Sequence, residues 1–399
     1  MPKVSVLIPA YNVEPYIREC LDSVLTQTLQ DFEIICIDDC SDDNTPEIIR
    51  EYMRQDDRIK LYIHGENRGQ ASGRNDALSH ATGEYVYMLD ADDKIIPETL
   101  EELYQICSRD SLDVVGFETR NFSEDRQFSE NVKIKTLTYQ DTEVMDGREA
   151  LTYCMETESF SLSTPTFFMR RAYLNENNIR VTEGIMHEDV GYILELITLA
   201  ERVRFLHKIY FLRRIRANST MTKGFTDKNI EGYIKSFYKS FELEPKISTY
   251  LNQDERFGKA FRKWQKDIFG RMNQLYCESA EIIAPMKGGH VNEEIRRVFE
   301  IVKLSNPRTQ QLPFNECYLT GTGAYTERAI REIGAQDILI RGIIVLEKKG
   351  KSFRGFPLLT PDEVDPEVPV ILSVSRYTRE EYRLELLKNG VSNPVEIEI

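Results

Sequence analysis

Short hydrophobic runs alternate with amphipathic stretches over the first 118 residues of the chain. Buried strands are predicted at 3–10 (KVSVLIPA), 32–39 (FEIICIDD), 59–64 (IKLYIH), 84–90 (EYVYMLD) and 113–118 (DVVGFE). Between the first two strands, one apolar helix stripe is predicted by the spacing of Ile17, Cys20, Leu21, Val24 and Leu25. This alternation is typical of a parallel sheet with crossover helices, so we predict an α/β fold.

The rest of the chain divides into a connecting region, a helical section and a second α/β pattern. Residues 119–160 are polar, and strand-like stretches follow at 164–174 and 203–215, with a predicted helix at 188–201 between them. A mostly helical section comes next, and from about residue 315 strand and helix patterns alternate again. We therefore predict three parts, 1–225 with the main sheet, 226–314 as a helical section, and 315–399 as a small α/β module.

Composition narrows the class of protein. A chain of 399 residues is long enough for more than one hydrophobic core. Its 66 acidic and 51 basic residues give a formal net charge of −15, which disfavours a nucleic acid as partner. The scattered cysteines argue against a zinc site and a disulfide framework, and no apolar segment approaches the ~18 residues that span a bilayer. With no secretion signal before the first strand, we expect a cytoplasmic protein; contact with the inner membrane surface is left open.

Acidic residues cluster where the predicted strands end. The second strand ends in Asp38 and Asp39, and the fourth runs into Asp90, Asp92 and Asp93. Open α/β sheets bind ligands at the carboxyl ends of their strands. Three like charges within four residues repel one another unless a positive group offsets them, and carboxylate oxygens suit Mg²⁺ or Mn²⁺. We therefore predict a metal site that bridges the phosphates of a nucleotide, with turn and cap roles as the alternative.

Two further stretches leave their roles open when they are taken alone. Arg68 and Arg74 in ENRGQASGRNDAL are suited to contact a nucleotide, or they belong to a glycine-containing loop before a helix. Glu188 and Asp189 in MHEDVGY are either favourable first-turn acids of a helix or include a general base. The spacing alone favours the structural role for this acidic pair.

Three basic or glycine-rich features also have two interpretations each. RRIRANSTMT places Arg213, Arg214 and Arg216 after a strand, where they would hold a leaving diphosphate or remain solvated charges. The Gly-Thr-Gly turn at 321–323 lacks the third glycine of a dinucleotide site, so a packing or regulatory module is favoured. Segment 227–271 carries ten Lys/Arg and seven Asp/Glu with interleaved aromatic residues, which favours an amphipathic packing helix over one that approaches anionic lipid.

Taken together and in this order, the stretches resemble the family 2 glycosyltransferases, which have the GT-A fold and act with inversion. The resemblance covers about residues 3–222 and is carried by five stretches. In chain order they are the opening from VSVLIPAYN to DDCSDDNT, NRGQASGRNDAL, the DXD motif in GEYVYMLDADD, HEDVGY and RRIRANSTMT. Cys40 stands where a glycine is common, and the QxxRW signature of processive members is absent, which suggests transfer of one sugar per event. The C-terminal section resembles Rossmann-like modules of some bacterial polysaccharide-assembly transferases.

The resemblance implies roles for individual residues of the donor site. It places Pro9, Tyr11 and Glu14 around the nucleotide. Asp38 would contact the nucleotide base, and Arg74 would lie near the nucleotide. Asp90 and Asp92 would face the metal and the diphosphate, and Asp93 would contact donor or acceptor. Either Arg214 or Arg216 would steady the departing diphosphate.

On the acceptor side, the resemblance makes Asp189 the general base with Glu188 as its neighbour, which reverses the structural reading from spacing alone. It implies a metal-dependent, inverting transferase. The sugar would move from a nucleotide-diphosphate donor, with a UDP-sugar expected, to a hydroxyl of a growing glycan or a lipid-linked acceptor in surface polysaccharide biosynthesis.

Two alternatives accompany this hypothesis. One is a catalytically inactive, nucleotide-sugar-binding scaffold of a polysaccharide assembly complex. The other is a signalling receiver domain, which shares the acidic pocket but does not account for NRGQASGRN and HEDVGY. Self-association into a homo-oligomer is left open.

Overall fold

A computed structural model describes residues 1–123, 138–216, 227–278, 316–322, 326, 330, 339–346, 348, 350, 352–353, 356–372 and 379–391. The chain forms two compact units. The first consists of Met1–Gly224 with Lys235–Gln265, and the second of Phe225–Ile234 with Lys266–Ile399. The division into 1–225, 226–314 and 315–399 stays a prediction.

The first unit is built on a sheet whose leading half is parallel, as the hydrophobic runs predict. Its strands are β1 (Val4–Ala10), β2 (Phe32–Asp38), β3 (Ile59–Ile63) and β4 (Tyr85–Met88), and the helices between them are α1 (Ile17–Leu25), α2 (Thr45–Met53) and α3 (Gln70–His80). β1 lies between β2 and β4 and pairs in parallel with both. All residues of β1 and β2 are buried, as expected for strands covered on both faces.

The other half of this sheet is mixed. Its strands are β5 (Lys94–Ile95), β6 (Val114–Phe122), β7 (Phe167–Arg170) and β8 (Val203–Arg214), and α4 (Thr99–Asp110) precedes β6. The strand order is β3-β2-β1-β4-β7-β6-β8-β5. β7 is antiparallel to both β4 and β6, whereas β6 and β8 are parallel. The GT-A-like mixed sheet expected from the resemblance is therefore present.

Five further α-helices lie in the described residues between 147 and 278. They are α5 (Gly147–Glu156), α6 (Arg171–Glu176), α7 (Glu188–Thr198), α8 (Asp227–Gln253) and α9 (Glu255–Glu278). Within the first unit, Lys239 and Lys246 of α8 both pair at 3.0 Å with Glu195, a buried residue of α7. α9 buries Phe261 and Trp264. The aromatic residues of segment 227–271 therefore serve largely as packing residues.

The second unit contains a smaller sheet, which confirms the predicted return to an α/β pattern. Its elements are β9 (Glu316–Thr320), β10 (Leu339–Ile344), β11 (Ser352–Phe353), β12 (Phe356–Leu359), β13 (Val370–Ile371) and α10 (Arg379–Lys388). The strand order is β11-β12-β10-β9-β13. Gly321 has a φ of 76° directly after β9, while the second glycine of that turn and the predicted closing strand lie outside the described residues. None of the helices in the described ranges combines the length and apolarity needed to cross a bilayer.

Gly147 begins α5 where the end of α7 passes close by. A β-carbon at Gly147 would lie 2.3 Å from the carbonyl oxygen of Ile197 and 2.6 Å from that of Thr198. Because both obstacles are backbone atoms, we expect Gly147→Ala to lower the free energy of unfolding by about 1–3 kcal/mol.

Gly65→Ala is the matched control, because nothing lies within 4 Å of a β-carbon there. The smaller entropy of its unfolded chain should leave this variant neutral or more stable by up to about 1 kcal/mol. Urea unfolding measures both changes, and equal stabilities would contradict the close contact between α5 and α7.

Candidate active site

The carboxyl ends of β1, β2 and β4 lie side by side at one edge of the first sheet. These strands hold or precede several predicted site residues, namely Pro9, Asp38, Asp90, Asp92 and Asp93. α3 passes this edge at close range, since a β-carbon added at Gly73 would lie 3.0 Å from the β-carbon of Pro9. The small residues of α3 therefore bring Arg74 up to the strand ends.

The two acids at the end of β2 differ in what they bind. Asp39 accepts hydrogen bonds from the backbone amides of Arg68 (2.9 Å) and Gly69 (2.7 Å), and it contacts Nδ1 of His64 at 2.7 Å. Asp38 is fully buried, and its Oδ1 has no hydrogen-bond partner among the described residues. Asp39 thus anchors the loop before α3, while Asp38 retains an acceptor atom that a ligand could use.

The loop after β1 forms the rim of this edge. Tyr11 is 47% exposed, so its ring is open to a flat ligand group. Glu14 is engaged with the start of α2, because it accepts from the side-chain amide of Asn44 at 2.9 Å and from its backbone amide at 3.1 Å. Of these two predicted nucleotide contacts, Tyr11 is the more accessible.

Arg74 joins the acidic strand end to the start of α7. Its side chain is 1% exposed, and its guanidinium lies 2.8 Å from Asp90, 2.7 Å from Asp189 and 3.3 Å from Glu188. Burial alone would lower the pKa of Arg74, but the charges of Asp189, Asp90 and Glu188 outweigh burial and raise it. The arginine therefore stays charged and holds the two predicted halves of the site together.

Asp189 receives two donors on the same oxygen. Arg74 Nη1 and the hydroxyl of Thr164 both donate to Oδ1 of Asp189. Thr164 is fully buried in a turn before β7, and the Asp189 side chain is 20% exposed. No described residue donates to Oδ2 of Asp189, so this oxygen keeps its capacity to accept a hydrogen bond.

Glu188 has an unusual titration for a helix-start acid. Burial raises the pKa of Glu188 to about 7, the charge of Asp189 adds to the increase, and Arg74 opposes it. The side chain is 12% exposed. Near neutral pH Glu188 and Asp189 together therefore carry less than two negative charges. This lowers the cost of burying both carboxyl groups beside Arg74.

Asp93 is the most enclosed acid of the DXD region. Its Oδ1 accepts the backbone amide of Arg214 at 2.6 Å. Burial raises the pKa of Asp93 well above its usual value, and the charges of Asp92 and Asp90 increase it further. Asp93 thus ties the end of β8 to the residues after β4.

Asp92 faces an arginine rather than open solvent. Nε of Arg216 donates to Oδ2 of Asp92 at 2.8 Å, and the two side chains are 28% and 22% exposed. The candidate arginines Arg68 and Arg213 have other partners, since Arg68 donates to Asp76 and Arg213 donates to Ser163.

The donor set fits a divalent cation only if a substrate completes the coordination. The described residues include no group of three or more His, Cys, Asp or Glu side chains arranged to hold a metal ion. Mg²⁺, however, is commonly bound by one or two carboxylates together with substrate phosphates. Among the described residues, no donor contacts Oδ2 of Asp90 or Oδ1 of Asp92, so each carboxylate keeps one oxygen for such an ion.

Three residues that shape this site were not predicted from the sequence. Thr164 contacts Asp189, Gln70 donates to Asp90 at 2.7 Å, and Asn75 binds both the amide (3.0 Å) and the carbonyl (2.9 Å) of Val181 in the loop before α7. Arg74 of α3 contacts the acidic pair Glu188 and Asp189 directly. The next residue, Asn75, binds the loop that leads to this pair. From the sequence, the stretch ENRGQASGRNDAL was singled out only for Arg68 and Arg74.

Comparisons with known proteins match the same part of the chain. The Glycosyl transferase family 2 model matches residues 5–177. Glycosyltransferase GlyG of Streptococcus pneumoniae serotype 4 is 32% identical over 226 residues, which are 56% of this chain and 74% of GlyG. Uncharacterized glycosyltransferase EpsJ of Bacillus subtilis is 33% identical over 228 residues, which are 55% of this chain and 63% of EpsJ. The chain thus spans less than two thirds of EpsJ.

A solved structure shares the fold. S. aureus TarS 1-349 in complex with UDP-GlcNAc is similar with a TM-score of 0.52 and 21% sequence identity, over 78% of this chain and 93% of that chain. At this level of identity, the likeness shows the fold alone.

The pKa of Glu188 predicts a pH-dependent stability. Between about pH 4.5 and about pH 7 the folded chain binds a proton here that the unfolded chain releases, so the free energy of unfolding falls as the pH rises. Glu188→Gln removes this titration. We expect the variant to gain about 1–3 kcal/mol relative to the wild type between about pH 5 and about pH 8.

Urea unfolding across this pH range measures the difference. Glu66→Gln, at an exposed loop position, is the control and should keep a constant difference from the wild type. A Glu188→Gln difference that is also independent of pH would show that Glu188 titrates normally.

Proposed function

This chain belongs to glycosyl transferase family 2, and from that membership we propose that it is a metal-dependent, inverting glycosyltransferase. It would move a sugar from a nucleotide-diphosphate donor to a hydroxyl of a growing glycan or a lipid-linked acceptor in surface polysaccharide biosynthesis. The observation that carries the proposal is the buried guanidinium of Arg74, which lies 2.8 Å from Asp90 of the DXD motif and 2.7 Å from Asp189 at the start of α7.

The nucleotide would bind at the ends of β1 and β2. Tyr11 offers an exposed ring, and Asp38 offers a buried acceptor atom with no partner among the described residues. Pro9 and Glu14 would line the same edge, with Arg74 behind it. TarS 1-349 was solved with UDP-GlcNAc, and on this basis a UDP-sugar is the donor that we propose.

The diphosphate would lie over the residues after β4. Asp90 and Asp92 would hold a Mg²⁺ or Mn²⁺ ion, which when bound would offset the charge that develops on the leaving diphosphate. Asp93 would keep this segment in place through its bond to the Arg214 amide. Arg216 is the more exposed of the two candidate arginines and is therefore the one that we assign to the diphosphate.

Transfer requires a base opposite the leaving group. Oδ2 of Asp189 would take the proton of the acceptor hydroxyl as its oxygen forms the bond to the anomeric carbon. The bond from that carbon to the phosphate oxygen breaks in the same step, and the electron pair leaves with the diphosphate. Arg74 and Thr164 keep the other oxygen of Asp189 occupied, so the base has one orientation. A positioned base contributes roughly 10²–10⁴-fold to the rate.

Donor binding is the first test. Thermal unfolding of the protein with a panel of nucleotide sugars, each with and without Mn²⁺, should show stabilisation by one nucleotide class that depends on the metal. Binding of a nucleotide sugar without hydrolysis or transfer would favour the inactive scaffold instead.

Two substitutions separate the proposed roles. We expect Asp92→Asn to weaken Mn²⁺-dependent donor binding, because it removes a carboxylate that would hold the metal ion. Asp189→Asn should leave the donor Kd within about threefold of the wild type and lower acceptor-dependent UDP release by roughly 10²-fold or more. Calorimetry measures binding, and UDP release with a turnover-competent acceptor measures transfer.

The matched control is Asp57→Asn at an exposed position between α2 and β3, which should leave both quantities unchanged. If Asp92→Asn and Asp189→Asn weaken donor binding equally, the two carboxylates do not have separate roles.

A further inference from the structure

Arg216 occupies a carboxylate that the proposed function assigns to the metal. Its Nε donates to Oδ2 of Asp92 at 2.8 Å. Both side chains are partly exposed, at 28% for Arg216 and 22% for Asp92, so the pair lies at the surface of the site where a ligand can reach it. A guanidinium and a divalent cation repel each other and compete for the same carboxylate.

Arg214, two residues earlier, is held in a different way. Its side chain is 3% exposed. Nε donates to the backbone oxygen of Asp92 at 2.9 Å, and Nη2 contacts Glu19 at 3.1 Å. These contacts join β8 to the backbone after β4 and to α1, so Arg214 is a structural residue. The contact between Arg216 and Asp92 joins two partly exposed side chains, so it can be exchanged without breaking the bonds that Arg214 makes.

Tyr16 provides a second contact for Arg216. The guanidinium carbon of Arg216 lies 5.0 Å from the centre of the Tyr16 ring, and that of Arg214 lies at the same distance. An aromatic face attracts a guanidinium whether or not the arginine is also paired with an acid. The ring can therefore keep Arg216 beside the site after it leaves Asp92.

A nucleotide diphosphate offers another partner for the Arg216 guanidinium. Its oxygens accept paired hydrogen bonds from a guanidinium and also coordinate a divalent cation. We propose that Arg216 neutralises Asp92 until the donor binds, and that it then moves from Asp92 to the donor's diphosphate beside the Tyr16 ring. Metal and nucleotide therefore bind as a cooperative pair. This inference rests on the proposed function and assigns Tyr16 as a positioning residue.

Arg216→Gln should raise the affinity for Mn²⁺ and lower the affinity for UDP. Without nucleotide, Mn²⁺ no longer competes with the guanidinium, so its affinity should rise about two- to fivefold, the range for a partly exposed ion pair. With Mn²⁺ present, UDP loses a charged hydrogen-bond donor, so its affinity should fall roughly tenfold or more. A merely structural arginine would not give both changes.

The experiment measures free Mn²⁺ by electron paramagnetic resonance, with and without UDP, and UDP affinity by calorimetry. Arg213→Gln is the matched control, because it removes the same charge from a neighbouring position whose side chain donates to Ser163. It should change Mn²⁺ affinity by less than Arg216→Gln does. Arg216→Lys keeps the charge and should give an intermediate result.

The role of the Tyr16 ring is tested in the same way. Tyr16→Phe should retain UDP affinity and Tyr16→Leu should lower it.

The outcomes separate the two proposals. If the wild type binds neither UDP nor Mn²⁺, the proposed function and the exchange both fail. If both ligands bind, but Arg216→Gln and Arg216→Lys leave Mn²⁺ affinity unchanged or lower, the exchange alone is wrong. An increase of equal size in Arg213→Gln would show a general charge effect and would also overturn it.

Discussion

The site depends on one buried guanidinium. Arg74 is 1% exposed and lies within 2.8 Å of both Asp90 and Asp189, which come from distant parts of the sequence. Without it, each carboxylate would be a poorly compensated charge in a partly dry environment, and breaking such a pair costs about 3–5 kcal/mol. The same contact fixes the spacing between the end of β4 and the start of α7. Stability and the proposed catalytic geometry therefore depend on the same contacts.

The strands of the site could be predicted from the sequence. Two of the helices around them, and the contacts between distant residues, could not. Continuous hydrophobic runs identified β1, β2 and β4, and five ordered motifs identified the family that the comparisons confirm, which excludes the receiver-domain alternative. α3 was not predicted as a helix, because it packs through Ala71, Gly73 and Ala77 and has no apolar stripe. Spacing along a chain also carries no information about pairs as distant as Arg74 and Asp189. α5 was missed although Asp146 caps it by accepting the amides of Arg148 and Glu149, a signal that the sequence does offer.

The charges of the acidic cluster are compensated in more ways than the sequence predicts. Mutual repulsion among Asp90, Asp92 and Asp93 does require compensation, but a metal ion is only one source of positive charge. Arg74 and Arg216 reach Asp90 and Asp92 at 2.8 Å, and a raised pKa relieves Asp93. Clustered aspartates are thus weak evidence for a metal by themselves. The stronger evidence is atomic, because Asp90 and Asp92 each keep one carboxylate oxygen that no described residue contacts.

Local compensation would also allow a chain with a net charge of −15 to bind the anionic donor that we propose. Long-range repulsion between the protein and a diphosphate is screened over about 8 Å at physiological ionic strength, so the groups in direct contact decide the affinity. The buried arginines, Arg74 and Arg214, hold the protein's own acids, whereas the partly exposed Arg216 lies where a phosphate can compete for it. Burial therefore distinguishes Arg74 and Arg214, which hold the site together, from Arg216, which we propose responds to the ligand.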